Sequence, residues 1–167
     1  ERLALVIEIV ITVDGEIDQF SIYRARVLNR AKLAYDAVSA WIEGLSELPH
    51  AAKMIVGMDM QLRTQDTVAQ LLRQRRHQQG ALEFETFQPR AVFSGEQVVD
   101  IRQQVQNRAR QLIEELMIAA NTCIARFLAS KGGASLRRVV RSPERWYRIV
   151  QLAQQYGASL PDRPDAV

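Results

Sequence analysis

The chain has 167 residues, 47% hydrophobic and 25% charged, which suits one globular domain with a core of its own. A single cysteine, Cys123, excludes an internal disulfide framework and fits a reducing compartment. The formal net charge of +3 is unevenly spread: residues 1–62 hold 6 basic and 9 acidic side chains, residues 126–148 hold 7 and 1. Of the 22 basic residues 19 are arginine, whose fork matches phosphate. A polyanion partner is one reading of this bias, and a solvated arginine-rich surface is the other.

Arg2–Val13 is rich in Val, Ile and Leu and reads as a strand. Its stretch Leu3–Ile11 is short, carries Glu8 and lacks a basic flank, so it is neither a signal peptide nor a membrane span. Asp14-Gly15 predicts a hairpin turn, and Glu16–Leu28 the return strand, with a bulge expected near Phe20. Lys32–Gly44 predicts a helix facing inward with Leu33, Ala37, Val38, Trp41 and Ile42. Leu48–Gln79 reads as a long helical stretch, broken near Gly57 or Thr64, with Ala51, Ile55, Met58, Leu62, Val68, Leu71 and Leu72 inward. Arg73, Arg75, Arg76 and His77 crowd its end, either complementing the helix dipole or contacting phosphate. Extended structure follows from Gly80, and Pro89–Arg102 predicts a second hairpin turning at Ser94-Gly95-Glu96.

The dominant signal is Gln106–Lys131. Ala109, Leu112, Ile113, Leu116, Met117, Ala120, Cys123, Ile124, Phe127 and Leu128 keep a helical rhythm for about six turns. Its back, through Glu114, Ile118, Asn121 and Ala125, is also largely apolar, so the helix is expected to be buried nearly all round. Glu114 and Asn121 then need partners in low dielectric, either neighbouring backbone and arginine or a bound ligand. Cys123 reads as a small core residue. Leu136–Val140 reads as a short basic strand, and Ser142-Pro143 as the cap and first turn of a last helix facing inward with Trp146, Ile149, Val150 and Ala153. The order predicts an α+β fold, antiparallel β-hairpins packed around a long central α-helix.

No Gly-rich phosphate loop, nucleophile triad or zinc spacing appears. Glu114 and Glu115 are adjacent, but neighbours on a helix diverge by about 100° and cannot share an ion unaided. Tyr23, Tyr35, Phe84, Phe87 and Tyr147 lie off the obvious core stripes and are candidates for base stacking.

Three runs, IYRARVLNRAKLAYDAV (residues 22–38), GALEFETFQPRAVFSGEQVVDI (80–101) and LIEELMIAANTCIARFL (112–128), resemble in order and interval the catalytic RNB domain of the ribonuclease II / ribonuclease R family. The resemblance implies a processive, Mg²⁺-dependent 3′-to-5′ exoribonuclease that threads single-stranded RNA into a channel and releases nucleoside 5′-monophosphates. By position it implies that Phe84 stacks on the terminal bases, Tyr35 lies near the RNA end and Glu114 contacts ribose. Asn121, Arg108 and Arg110 are further candidates for RNA contact. The family's Mg²⁺-binding aspartates correspond to a point before Glu1, and its later phosphate-binding arginine motif to one beyond Val167. Residues 1–167 are therefore expected to be part of one RNB-like domain, inactive alone, supplying channel wall and no metal ligand, within a cytoplasmic, monomeric enzyme. A non-catalytic RNA-binding or regulatory protein on the same fold is the alternative.

Overall fold

The computed structural model describes residues 1–81, 89–103, 106–134 and 145–163. Strands β1 (Arg2–Ile11) and β2 (Ile17–Val27) form the first antiparallel hairpin. Its register shift falls between Val10 and Ile11 rather than near Phe20, which pairs regularly with Ile9. The five-residue connection Thr12–Glu16 explains this, because it closes on itself: Thr12 N donates to Glu16 O (2.9 Å) and Gly15 N to Thr12 O (3.0 Å). The irregularity sits where strand geometry gives way to the turn. Gly15 has φ +74°, and a Cβ there would lie 2.7 Å from the Leu71 carbonyl oxygen. Only glycine allows both the turn and its seat against the helix behind it.

Helix α1 spans Tyr35–Ile42, later than the Lys32 start expected, because Ala34 is still extended (ψ 136°). A short α2 (His50–Lys53) precedes α3 (Met58–Gln78), and the break falls at Gly57 (φ +78°). Ala52 is fully buried, whereas Ala51 faces outward. Strands β3 (Pro89–Ser94) and β4 (Gln97–Gln103) pair as the second hairpin. Its Phe93, Val98, Val99 and Ile101 are exposed. Helix α4 spans Arg108–Ser130, and α5 Trp146–Gln155. The fold is α+β with antiparallel hairpins and one long helix, as expected. In α5 no residue is fully buried, and Ile149 is exposed rather than inward. Trp146 Nε1 donates to Pro161 O (2.8 Å), holding the segment after α5 back on it. The expected strand Leu136–Val140, the helix start at Ser142-Pro143, and Phe84 and Phe87 lie outside the described residues.

Val38, Trp41, Ala52, Leu62 and Ala109 form one buried cluster of the core, with Leu33, Ile42, Leu48 and Met58 packed on it. Two ion pairs stitch α3 to α4. Arg108 Nε lies 2.6 Å from Asp66 Oδ1 and its Nη2 3.0 Å from Oδ2. Arg76 Nη2 lies 2.6 Å from Glu115 Oε1 and its Nε 3.2 Å from Oε2. Numbers rise together across both pairs, so the two helices run in the same direction.

The environment of α4 differs from the sequence expectation. Ala109, Leu112, Glu115, Ala119 and Cys123 are buried, whereas Ile113, Glu114, Met117 and Asn121 are exposed. The helix is covered on one broad face only. The enclosed acid is Glu115, 3% exposed, and not Glu114. An apolar stripe on the back of a helix therefore does not by itself mark enclosure, since exposed apolar surface is common. Cys123 is fully buried, as a small core residue should be, and burial pushes its thiol pKa up.

Candidate functional site

The start of α4 is held by its cap. Asn107 is extended (φ −123°, ψ 166°), and its Oδ1 accepts from Arg110 N at 3.0 Å, the usual chemistry of an Asn N-cap. The other end of the same amide donates from Nδ2 to Asp36 Oδ1 at 2.8 Å. Asp36 stands in the first turn of α1, where the helix dipole favours a carboxylate. Beside it, the buried Ser39 Oγ accepts from Arg108 N (3.0 Å) and donates to Glu43 Oε1 (2.8 Å). The first turns of α1 and α4 are thus joined at two points.

This joint positions the candidate side chains. Arg110 places its guanidinium carbon 5.0 Å from the centroid of the Tyr35 ring, a cation–π arrangement, and its Nη2 3.7 Å from Asp36 Oδ1. Tyr35 stays 44% exposed. Glu114 follows Arg110 by one turn and accepts from Gln106 Nε2 at 2.8 Å. Arg110, Glu114 and Asn121 share one side of α4 at intervals of four and seven residues. Tyr35, Arg110 and Glu114 therefore lie together, with Asn121 two turns further along. Behind Tyr35 a cavity of about 360 Å³ is lined by Leu28, Leu33, Val38, Met58, Leu62 and Ile113, among others.

Arg108 does not join this surface. Its guanidinium is committed to Asp66, whose carboxylate hydrogen bonds also hold the arginine proton more tightly than usual. The basic cluster ending α3 is likewise partly spent on carboxylates: Arg75 pairs with Glu16 of the hairpin turn and Arg76 with Glu115. His77 Nδ1 sits 3.2 Å from Ala81 O. Of the other aromatics, Tyr23 and Tyr147 are exposed. Sequence reasoning did not single out Asp36, Ser39, Gln106 or Asn107. Asn107 was readable as a cap before an apolar run; Asp36 and Ser39 owe their role to the α1–α4 contact, and Gln106 to its bond to Glu114.

The carboxylates described here do not suit a metal ion. Among the described residues no group of three or more His, Cys, Asp or Glu converges. Glu114 faces outward to Gln106 while Glu115 turns inward to Arg76, so these neighbours diverge. Nor, among the described residues, is any helix long and apolar enough to cross a membrane.

The chain is similar to proteins of known family. The model of the RNB domain family matches residues 1–162, and the chain belongs to that family. Ribonuclease R of Vibrio parahaemolyticus is 32% identical over 144 residues, 86% of this chain and 17% of the relative. Exoribonuclease 2 of Cronobacter sakazakii is 32% identical over 162 residues, 94% of this chain and 24% of the relative. Among solved structures, Mycoplasma genitalium RNase R in complex with ribose-methylated single-stranded RNA superposes with a TM-score of 0.82 at 22% identity. That match covers 98% of this chain and 25% of that one. The same protein with double-stranded RNA gives 0.83 at 22% identity, covering 98% and 29%. The chain thus spans a quarter or less of the two sequence relatives.

Proposed function

We propose that the intact protein containing this chain is a 3′-to-5′ exoribonuclease that hydrolyses single-stranded RNA to nucleoside 5′-monophosphates. In this reading the chain contributes RNA-binding wall and not the reacting centre. The observation that carries it is the shared surface of Tyr35, Arg110 and Glu114, two of which, Tyr35 and Glu114, stand where the family resemblance calls for RNA contacts. One face of the Tyr35 ring rests on a cation and the ring stays exposed, as a platform for a base requires. Glu114 is an accessible acceptor for a ribose 2′-hydroxyl, the group that separates RNA from DNA. Asn121 extends this surface by two turns. Phe84 takes the second stacking role by resemblance, while Arg108, tied to Asp66, contributes by holding α4 in place.

The intact enzyme is read as a cytoplasmic monomer. A Mg²⁺ ion, which the family implies, does not fit the carboxylates described here, and no step is assigned to it. The arginine-rich second half of the chain is what favours one second reading, a non-catalytic RNA-binding protein on this fold. The test is hydrolysis of 5′-labelled single-stranded RNA with a free 3′ end by the intact protein. Stepwise shortening with release of 5′-monophosphates is expected, with little action on DNA of the same sequence. Internal cuts, or binding with no hydrolysis, would overturn the nuclease reading.

A further inference from the structure

The geometry points to Asp36 as a positioning residue that sets the Tyr35 platform by fixing Arg110 beneath it. This inference rests on the RNA-binding reading of Tyr35 and adds a group which that reading does not require. Asp36 is the acceptor at which two elements meet. Its Oδ1 takes the hydrogen bond of Asn107 Nδ2 at 2.8 Å and faces Arg110 Nη2 at 3.7 Å. Asn107 is itself fully committed, since its Oδ1 holds Arg110 N at 3.0 Å. Backbone and guanidinium of Arg110 are therefore both referred to one carboxylate, which adjoins Tyr35 in sequence.

The consequence is geometric. The Arg110 guanidinium, with its carbon 5.0 Å from the ring centroid, occupies one side of the Tyr35 ring. A stacked base is left the other side, at a height that follows from where Arg110 sits. The side chain of Asp36 is 71% exposed and that of Arg110 only 24%. A pair at 3.7 Å whose carboxylate is already in water adds little to stability. Its effect is orientation, and misplacing a platform weakens contact with short ligands first, because they engage few other subsites.

The experiment uses the intact protein with Asp36→Ala, Asp36→Asn, Asn107→Asp and the double variant Asp36→Asn/Asn107→Asp. Readouts are KM for short oligoribonucleotides, kcat on long RNA, end-product length and Tm. Asn107→Asp keeps an acceptor for the α4 cap but sets two carboxylates against each other. Asp36→Ala and Asn107→Asp are expected to raise KM for short RNA about fivefold or more and to lengthen the end product. Their kcat on long RNA and their Tm should stay near wild type. The double variant rebuilds the inter-helix bond with donor and acceptor exchanged but turns an amide donor toward Arg110, so Tm should hold while KM recovers by less than half. Asp36→Asn keeps an amide oxygen for Asn107 without the charge, and should fall between. A lowered Tm with unchanged KM and product length would make Asp36 merely structural and overturn the proposal, as would full recovery of KM by the double variant, since that would leave the Asp36–Arg110 contact no part. A wild-type protein that hydrolyses no RNA overturns the nuclease reading and this proposal with it; an active wild type whose variants match it overturns this proposal alone.

Discussion

Arginine–carboxylate pairs occur in two settings along α4. In the seam with α3, Asp66 and Glu115 are 8% and 3% exposed and each is gripped by two guanidinium nitrogens. At the rim, the exposed carboxylate of Asp36 faces Arg110 at 3.7 Å. The chemistry is the same, and the dielectric differs. In the seam a lost partner strands a buried charge, so these pairs lock the register of two helices. At the rim the carboxylate is already solvated, so that pair is suited to aiming a ring.

Substitutions ordered by expected effect sharpen this contrast. Glu115→Ala removes the most enclosed carboxylate and its paired hydrogen bonds to Arg76; a loss of about 2–3 kcal/mol should appear in urea unfolding of the intact protein. A loss under about 1 kcal/mol would break the contrast. Gly15→Ala tests the seam from the hairpin side, because the new methyl meets the Leu71 carbonyl at positive φ. It should cost about 2 kcal/mol, read as a lower Tm. Asp66→Ala should cost less, about 1–2 kcal/mol, because Arg108 is 38% exposed along its side chain and water can reach it. Glu114→Ala, on the rim, should leave stability within about 0.5 kcal/mol while weakening the preference for RNA over DNA in a paired binding assay. A fall in Tm with the preference intact would return Glu114 to the scaffold. Smallest is Cys123: its buried thiol should label with iodoacetamide only as fast as the protein unfolds. Since its folded pKa is raised, the protonated thiol favours the folded state at neutral pH, and that contribution is lost as pH climbs past the ordinary thiol range.

Local pattern carried much of this architecture. The turn at Asp14-Gly15, the breaks at Gly44 and Gly57, and α4 with its apolar rhythm were legible because each depends on a few neighbouring residues. The family likeness was legible from three motifs in order. Which acid of Glu114-Glu115 turns inward was not, because the answer lies in Arg76, a partner 39 residues away. The role of Asp36 was hidden for the same reason: its partners, Asn107 and Arg110, come from another helix. The bulge was misplaced because hydrophobic alternation cannot tell a slip at Phe20 from one beside the turn.

The shared direction of α3 and α4 also bears on synthesis. The first hairpin closes over five residues and can zip within about 1–10 μs. The groove of Val38, Trp41 and Leu62, by contrast, is capped by Ala109, which lies 47 residues (109 − 62) beyond Leu62. At ribosomal speeds that wait is about 2–10 s. During it the nascent chain carries an uncovered greasy groove next to finished β structure, a window in which holding chaperones would compete with misassembly.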